Sequence, residues 1–208
     1  MSQIFPTAYL PSIEYISLFL KAENPRIELF ETYYKQSCRT RCEVMTANGI
    51  QTLTVPVIKV NGNHTLTKDI EVSYKESWQQ VHLRCLESAY RKSAYFDYYF
   101  PYFEKIYKQK FSTLTELNDY CLKVILKLIK VKKDFSYTED FEKIINENDF
   151  RICLSKNEVN KKEMKPYYQV FADRHGFISN LSVVDLLFNE GPSAINYLYL
   201  PSQRQQQP

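Results

Sequence analysis

The hydrophobic period of the sequence becomes mainly helical from Ser77 onward, and this change restricts the fold more than any other feature. Before Ser77, short apolar segments alternate with Pro, Gly and Asn, which is typical of strands and turns. After Ser77, apolar residues recur every three or four positions, as on the buried face of a helix. The two patterns together predict an α/β fold in which a small sheet packs against a helix-rich middle section.

The first 30 residues predict a β-α-β unit. Residues 5–10 read as a strand, and Ser12 is placed to cap a helix. Pro25 ends that helix and precedes a second strand around Ile27. Two strands joined by one short helix favour parallel pairing. We also expect the helix N-terminus behind residues 9–12 to attract an anion.

A hairpin follows this unit. Asn48-Gly49, a pair typical of type I′ turns, lies between the β-rich residues 41–45 and 51–60. Pro56 cannot donate a hydrogen bond to a neighbouring strand, so we expect pairing to end there or to lie at a sheet edge. Residues 70–74 alternate in polarity and predict one more strand. With the β-α-β unit, the hairpin is expected to form one small mixed sheet.

The middle section predicts core helices. Ser77 and Thr113 each precede Gln or Glu by three residues, which is the capping-box pattern at a helix start. An aromatic belt at residues 95–103 separates the two helices, and Pro101 inside it suits the first turn of a new helix. Packing is the favoured role for the belt, and an exposed binding patch is the alternative.

The C-terminal third predicts shorter elements. A short helix is expected at residues 141–145, and alternating apolar residues predict a strand at 150–154. Ser182, three residues before Asp185, is placed to start a last helix, which Gly191 would end.

Composition excludes several classes of protein. The 208 residues suit one domain at 1–200, with a Gln-rich tail at 201–208 that we expect to be disordered. The net charge of +3 is too small and too evenly spread to indicate nucleic-acid binding. No apolar run is long enough for a membrane span, and five cysteines without framework spacing predict a cytoplasmic, reduced protein. Four scattered glycines build neither a dinucleotide turn nor a P-loop, and we expect no cofactor and no bound metal.

A basic cluster is the main candidate for ligand binding. Lys35, Gln36, Arg39 and Arg41 lie close together, and in an extended segment the two arginines would share one face. Two such guanidinium groups can clamp a phosphate or carboxylate. A solvated edge strand with protective charges is an equally good interpretation. Aromatic residues form 15% of the chain, and tyrosine rings suit polar, ring-shaped ligands or a wet core.

His82 is the candidate for proton transfer. It lies one helical turn after Trp78 and could face a cleft, although a helix-surface histidine is the commoner case. Asp185, Asn189 and Glu190 form a compact acidic-polar group near the end of the chain. As a residue near a helix start, Asp185 also has a structural role available to it.

Six ordered blocks between residues 9 and 192 resemble the WbqC-like protein family, which is found in bacterial surface-polysaccharide clusters. The blocks are Tyr9-Leu10-Pro11 with Tyr15; Lys35-Gln36-Ser37 with Arg39 and Arg41; Asn48-Gly49 with Leu53-Thr54-Val55-Pro56-Val57; Trp78 with His82; Ala89-Tyr90-Arg91-Lys92-Ser93 with Tyr95-Phe96; and Leu181-Ser182-Val183 through Asp185-Leu186-Leu187-Phe188-Asn189 to Gly191-Pro192.

The resemblance implies a role in O-antigen or capsule synthesis, with transfer of an acyl or aminoacyl (for example glycyl) group to a sugar or nucleotide sugar. On this hypothesis His82 is the base, Asp185 or Glu190 its partner, and the small-molecule substrate is bound by Tyr9, Lys35, Gln36, Arg39, Arg41, Tyr90, Arg91 and Asn189. The alternative is a non-catalytic protein that binds glycan precursors or assembly enzymes. The sequence leaves the oligomeric state open. An enzyme requires five of them to converge on one cleft, namely Tyr9, Arg39, Arg41, His82 and Asp185, whereas a scaffold predicts scattered residues and an exposed aromatic belt.

Overall fold

The computed structural model describes residues 2–143, 148–156 and 163–199. It confirms the α/β class. In chain order the elements are β1 (Ser2–Pro6), α1 (Ile13–Lys21), β2 (Asn24–Glu28), β3 (Arg41–Thr46), β4 (Gly49–Thr54), β5 (Val57–Lys59), β6 (Ile70–Val72), α2 (Trp78–Tyr90), α3 (Phe96–Lys108), α4 (Leu114–Leu128), β7 (Ser136–Tyr137), α5 (Ala172–His175), α6 (Val183–Glu190) and α7 (Ala194–Leu198).

The predicted β-α-β unit is confirmed. β1 and β2 pair in parallel, with Phe5 opposite Ile27, and α1 connects them. Ser12 caps α1, because its hydroxyl accepts a hydrogen bond from the Tyr15 N–H at 3.2 Å. β7, which the sequence did not indicate, adds a short parallel strand on the other side of β2. The sheet therefore has the order β1-β2-β7, with all carboxyl ends at one edge.

The hairpin is confirmed, but its turn type is not. β3 and β4 pair antiparallel with Thr46 opposite Gly49, which places Ala47 and Asn48 at the centre of the turn. Of these residues Gly49 alone has a positive φ, at 98°, whereas a type I′ turn requires positive φ at both central positions. Pro56 ends the pairing as expected, since β4 stops before it and β5 pairs with β6 instead. The strands are therefore divided among three small sheets instead of one mixed sheet.

The two expected capping boxes have different outcomes. The box at Thr113 is confirmed, because its hydroxyl and the Glu116 carboxylate each accept a hydrogen bond from the other residue's N–H. The prediction of a capping box at Ser77 is wrong. The ψ of Ser77 is 47° instead of an extended value, so its side chain makes no capping bond. Pro101 does not open a helix either, since α3 begins at Phe96 and Pro101 lies inside it.

The expected elements at residues 141–154 are also wrong where the structure describes them. Residues 141–143 are not helical, and residues 144–145 lie outside the described residues. Residues 150–154 form turns instead of a strand, because the Leu154 N–H donates to the Phe150 carbonyl at 3.0 Å. The tail at 201–208 lies outside the described residues as well.

One continuous cluster of buried apolar side chains extends from Phe5 to Leu198. α6 belongs to this cluster, and all of its residues from Val183 to Asn189 are buried. Ser182 caps this helix and Gly191, with a φ of 56°, ends it, as the sequence predicted. The β-α-β unit and the helical section are therefore parts of one core.

Candidate functional site

A groove of about 820 Å³ lies beyond the carboxyl end of β2. In open parallel sheets, ligands bind in the crevice outside the carboxyl ends of the strands. The volume is within the usual range for small-molecule sites. The lining residues come from the segments after β2 and β7 and from residues 151–156: Phe30, Glu31, Thr32, Tyr34, Arg39, Phe141, Arg151, Ile152, Cys153, Ser155 and Lys156.

An ion pair between Arg39 and Glu31 forms one wall of the groove. The Arg39 side chain is only 2% exposed, and its Nε and Nη2 donate to Glu31 Oε1 at 2.7 and 2.5 Å. Burial raises the pKa of Glu31, although the nearby Arg39 guanidinium opposes this shift. Among the described residues no group donates a hydrogen bond to the second oxygen, Oε2. Glu31 therefore presents an acceptor beside the groove.

A second ion cluster holds residues 148–156 against the end of β2. Arg151 donates to Glu28 at 2.6 Å and makes a bidentate contact with Asp149 at 3.0 and 2.6 Å. The other oxygen of Glu28 accepts hydrogen bonds from the Phe30 N–H and the Thr138 hydroxyl. These bonds fix the backbone just before the groove residues that follow β2.

The rim of the groove is aromatic. Tyr34 is 54% exposed and Phe141 50% exposed, although large apolar rings are normally buried. The Arg151 guanidinium lies over the Phe141 ring, 5.5 Å from its centre, within the range of a cation–π contact. Exposed aromatic faces beside charged groups suit a polar ring such as a sugar.

His82 lies outside this groove, in a buried hydrogen-bond network. The Tyr9 hydroxyl contacts His82 Nδ1 at 2.9 Å and the Tyr107 hydroxyl at 2.7 Å. Against the larger effect of burial, the nearby Thr54 backbone acts to raise the pKa of the imidazole. Burial lowers the pKa of His82 to about 4, so the ring is neutral at pH 7. The Nδ1 atom is thus occupied by the Tyr9 hydroxyl.

Asp185 belongs to a different network. Its Oδ2 accepts hydrogen bonds from the Tyr167 hydroxyl at 2.6 Å and from Gln169 at 3.0 Å. Burial raises the pKa of Asp185 to about 6, while the hydrogen bonds from Tyr167, Tyr90 and Gln169 oppose the shift. Tyr90 follows His82 by eight residues in α2, roughly 12 Å along the helix axis. The expected pair of His82 and Asp185 is therefore not formed in this structure.

The remaining acidic-polar candidates near Asp185 make local contacts. Asn189 donates to the Asp185 carbonyl at 2.8 Å, one helical turn away. The Glu190 carboxylate accepts from the Tyr168 N–H at 3.3 Å. The first contact lies within α6, and the second joins the end of α6 to the segment before α5.

Two further candidates are on or next to α2. The Tyr90 hydroxyl accepts a hydrogen bond from the Met45 N–H at 3.3 Å, deep in the core. Arg91 is 75% exposed and lies 3.8 Å from Glu87. Neither residue borders the groove.

The basic cluster is not an extended clamp. The N–H groups of Thr40 and Arg41 both donate to the Ser37 carbonyl at 3.1 Å, so the chain turns here before β3. The turn buries Arg39, while Arg41 is half-buried at the start of β3. Lys35 and Gln36 are exposed between the groove residues Tyr34 and Arg39. Of the four candidates, Arg39 alone borders the groove.

The expected anion site at the start of α1 is filled by the protein itself. The Ile13 N–H donates to the Leu181 carbonyl at 3.0 Å, and the Glu14 N–H donates to the Asn180 side chain at 2.9 Å. Ser12 takes the next N–H as the cap. This prediction was wrong because the partners come from a segment about 170 residues away in the sequence.

The aromatic belt is packing, as the favoured interpretation predicted. Phe96, Tyr99 and Phe103 are buried, and Phe103 packs on Phe188 of α6 with ring centres 5.3 Å apart. Tyr98 is the belt residue that is mostly exposed, at 60%. An exposed aromatic patch is therefore not formed by the belt.

Sequence reasoning missed Glu31, Tyr34 and Arg151 as groove residues. A signal existed for the first two, because they follow a strand of a parallel sheet at its carboxyl end. Arg151 gave no signal, since it meets Glu28 across 123 positions of sequence.

A comparison with protein families gives one match. The model of the WbqC-like protein family matches residues 7–164 of the chain. The chain belongs to the WbqC-like protein family. The matched range of this WbqC-like protein includes every groove residue, whereas the sequence block at 181–192 lies beyond it. No match was found among curated proteins or among solved structures.

Two searches of the described residues gave negative results. Across residues 2–143, 148–156 and 163–199, no three His, Cys, Asp or Glu side chains are arranged to hold a metal ion. Within the same ranges, every helix is too short or too polar to cross a membrane.

Proposed function

We propose that this WbqC-like protein binds a sugar precursor of a bacterial surface polysaccharide in the groove beyond β2. The observation that carries the proposal is the 820 Å³ groove at the carboxyl edge of the parallel sheet, with exposed aromatic rings on its rim. The family resemblance supplies the ligand class, since it implies surface-polysaccharide synthesis. The proposal includes a cytoplasmic location for the protein, because such precursors are made there.

The chemistry of the groove supports a polar ring as the ligand. Tyr34 and Phe141 offer apolar faces for the C–H side of a sugar. Glu31 offers an acceptor for its hydroxyl or amino groups, and Lys156 offers an exposed donor. A groove with both kinds of surface fits a sugar better than a purely apolar molecule.

Ligand-observed NMR with sugars, sugar phosphates and nucleotide sugars tests this function. Tyr34→Ala is expected to weaken the binding of every sugar ligand, because it removes a ring from the rim. Tyr98→Ala is the matched control, since Tyr98 is similarly exposed but lies on α3 outside the groove. Equal binding by both variants would reject the groove as the site.

Acyl or aminoacyl transfer to the bound sugar is the second candidate function. The observation that favours it is the exposed side chain of Cys153 at the groove. Its sulfur would displace the leaving group of an acyl donor and form a thioester, which a sugar amine or hydroxyl would then attack, releasing the thiol. The groove lining contains Arg39 but not Tyr9, Arg41, His82 or Asp185, so the convergence expected for an enzyme with His82 as its base does not support this route, which relies on Cys153 instead.

Intact-protein mass spectrometry after incubation with an acyl thioester tests the transfer. Wild type is expected to gain the mass of one acyl group, whereas Cys153→Ser is expected to show no such gain. Cys85→Ser is the control, because Cys85 lies on α2 away from the groove. Equal acylation of wild type and Cys153→Ser would reject the thioester route.

A further inference from the structure

The buried charges beside the groove do not balance. Glu28, Glu31 and Asp149 bring three carboxylates, and Arg39 and Arg151 bring two guanidinium groups. All five side chains are between 0 and 13% exposed. Three negative and two positive charges leave one negative charge in excess, in a setting where unbalanced charge is costly.

Neighbouring charged groups do not remove this excess. Arg26 and Glu142 pair with each other and add no net charge. Lys156, which borders the groove, is exposed, so water screens its charge. Within residues 2–143, 148–156 and 163–199, the excess negative charge therefore remains with these five side chains.

The contacts place the excess on Glu31. The oxygens of Glu28 and Asp149 are occupied by Arg151, backbone N–H groups and the Thr138 hydroxyl. Glu31 Oε1 is occupied by Arg39, whereas Oε2 has no donor among the described residues. The raised pKa of Glu31, caused by burial, has the direction expected for a carboxylate that lacks a full counter-charge.

We infer that Glu31 Oε2 receives the ammonium group of an amino sugar, and that the groove selects sugars with a free amine. The inference rests on the proposed function, because it assigns the ligand class of the same groove. An ammonium group supplies both things that Glu31 lacks, a positive charge and a hydrogen-bond donor. A sugar hydroxyl would supply only the donor.

The arrangement does not suit a divalent metal ion in this role. Such an ion needs several carboxylate oxygens around one point. Here Glu28 and Asp149 are directed to Arg151, so Glu31 stands alone as an acceptor. A single carboxylate with an orienting arginine matches one ammonium group instead.

The test compares glucosamine, N-acetylglucosamine and glucose as probes, by NMR titration of the full chain at about pH 6, where the amine is protonated. Wild type is expected to bind glucosamine about tenfold more tightly than the two neutral sugars, as one charge-assisted hydrogen bond predicts. Glu31→Gln is expected to bind all three alike. Glu104→Gln, which changes an exposed glutamate on α3, is expected to keep the preference.

The outcomes separate this inference from the proposed function. Equal binding of the three sugars by wild type, or a preference that survives in Glu31→Gln, overturns the inference. If Tyr34→Ala still weakens all three sugars in that case, the groove remains the sugar site. If no sugar binds, or if Tyr34→Ala changes nothing, both the proposed function and the inference fall. If Glu31→Gln does not fold, the binding of the three sugars to wild type tests the inference: a preference for glucosamine supports it, and equal binding overturns it.

Discussion

Replacing Asp185 by Asn should change the pH dependence of stability. Asp185 is fully buried, and its pKa is raised from 3.8 to about 6, chiefly by burial. A carboxyl group with a raised pKa binds its proton more tightly in the folded state than in the unfolded state. Its contribution to stability is therefore complete below about pH 4 and is lost as the pH rises through about 6.

The size of this effect follows from the shift. A difference of about two pKa units corresponds to roughly 3 kcal/mol at 1.36 kcal/mol per unit. The amide side chain of the Asp185→Asn variant cannot ionise, so this loss disappears in the variant. The free energy of unfolding of Asp185→Asn minus that of wild type should rise by roughly 3 kcal/mol between pH 4 and pH 7.

The assay is urea unfolding of both proteins at several pH values. The difference between the two proteins is the quantity to use, because His82 acts in the opposite direction. Its pKa is lowered to about 4, so its contribution grows as the pH rises from 4 to 6.5 and partly hides the loss from Asp185 in wild type. Asp97→Asn, an exposed change on α3, is the control. A difference that stays constant from pH 4 to 7 would refute the argument.

Three further substitutions test individual polar interactions that stabilise the fold. Arg39→Ala should destabilise the protein by about 3–5 kcal/mol in urea unfolding, because it leaves the Glu31 carboxylate buried without its counter-charge; a loss below about 1 kcal/mol would contradict the ion-pair geometry. Tyr9→Phe should cost about 1–3 kcal/mol, since it leaves two buried polar side chains without their shared hydroxyl, and near-neutral stability would argue against that network. Thr113→Ala should cost about 1 kcal/mol through loss of a helix cap, whereas Ser77→Ala, whose hydroxyl makes no capping bond, should cost much less; equal costs would show that the two caps do not differ.

Local patterns predicted most of the elements, because their causes lie within a few residues. The cap at Ser12, the box at Thr113, the break at Pro56 and the stop at Gly191 each depend on one side chain or one backbone angle. The wrong prediction at Ser77 also has a local cause, because the residue types fit the capping-box motif but the backbone of Ser77 is not extended.

The site was harder to predict because its contacts are long-range. The sequence predicted a binding role for Arg39, but the position of its side chain depends on a turn at Ser37 and on Glu31, which sequence spacing does not reveal. His82 has the residue type of a base, yet Tyr9 and Tyr107 bury it. Tyr9 lies 73 positions from His82 and 98 positions from Tyr107 in the sequence. Side-chain type can be read locally, whereas burial cannot.

The link between α1 and the start of α6 has a consequence for biosynthesis. Leu10 and Pro11 offer carbonyls to Ser182 and Val183, and the Ile13 N–H is bound by Leu181. A nascent chain releases its first helix from the ribosome long before those partners are translated. The backbone groups at Leu10, Pro11 and Ile13 therefore cannot form these hydrogen bonds until residues 181–183 have been translated, so this link forms late, after most of the intervening chain has been made.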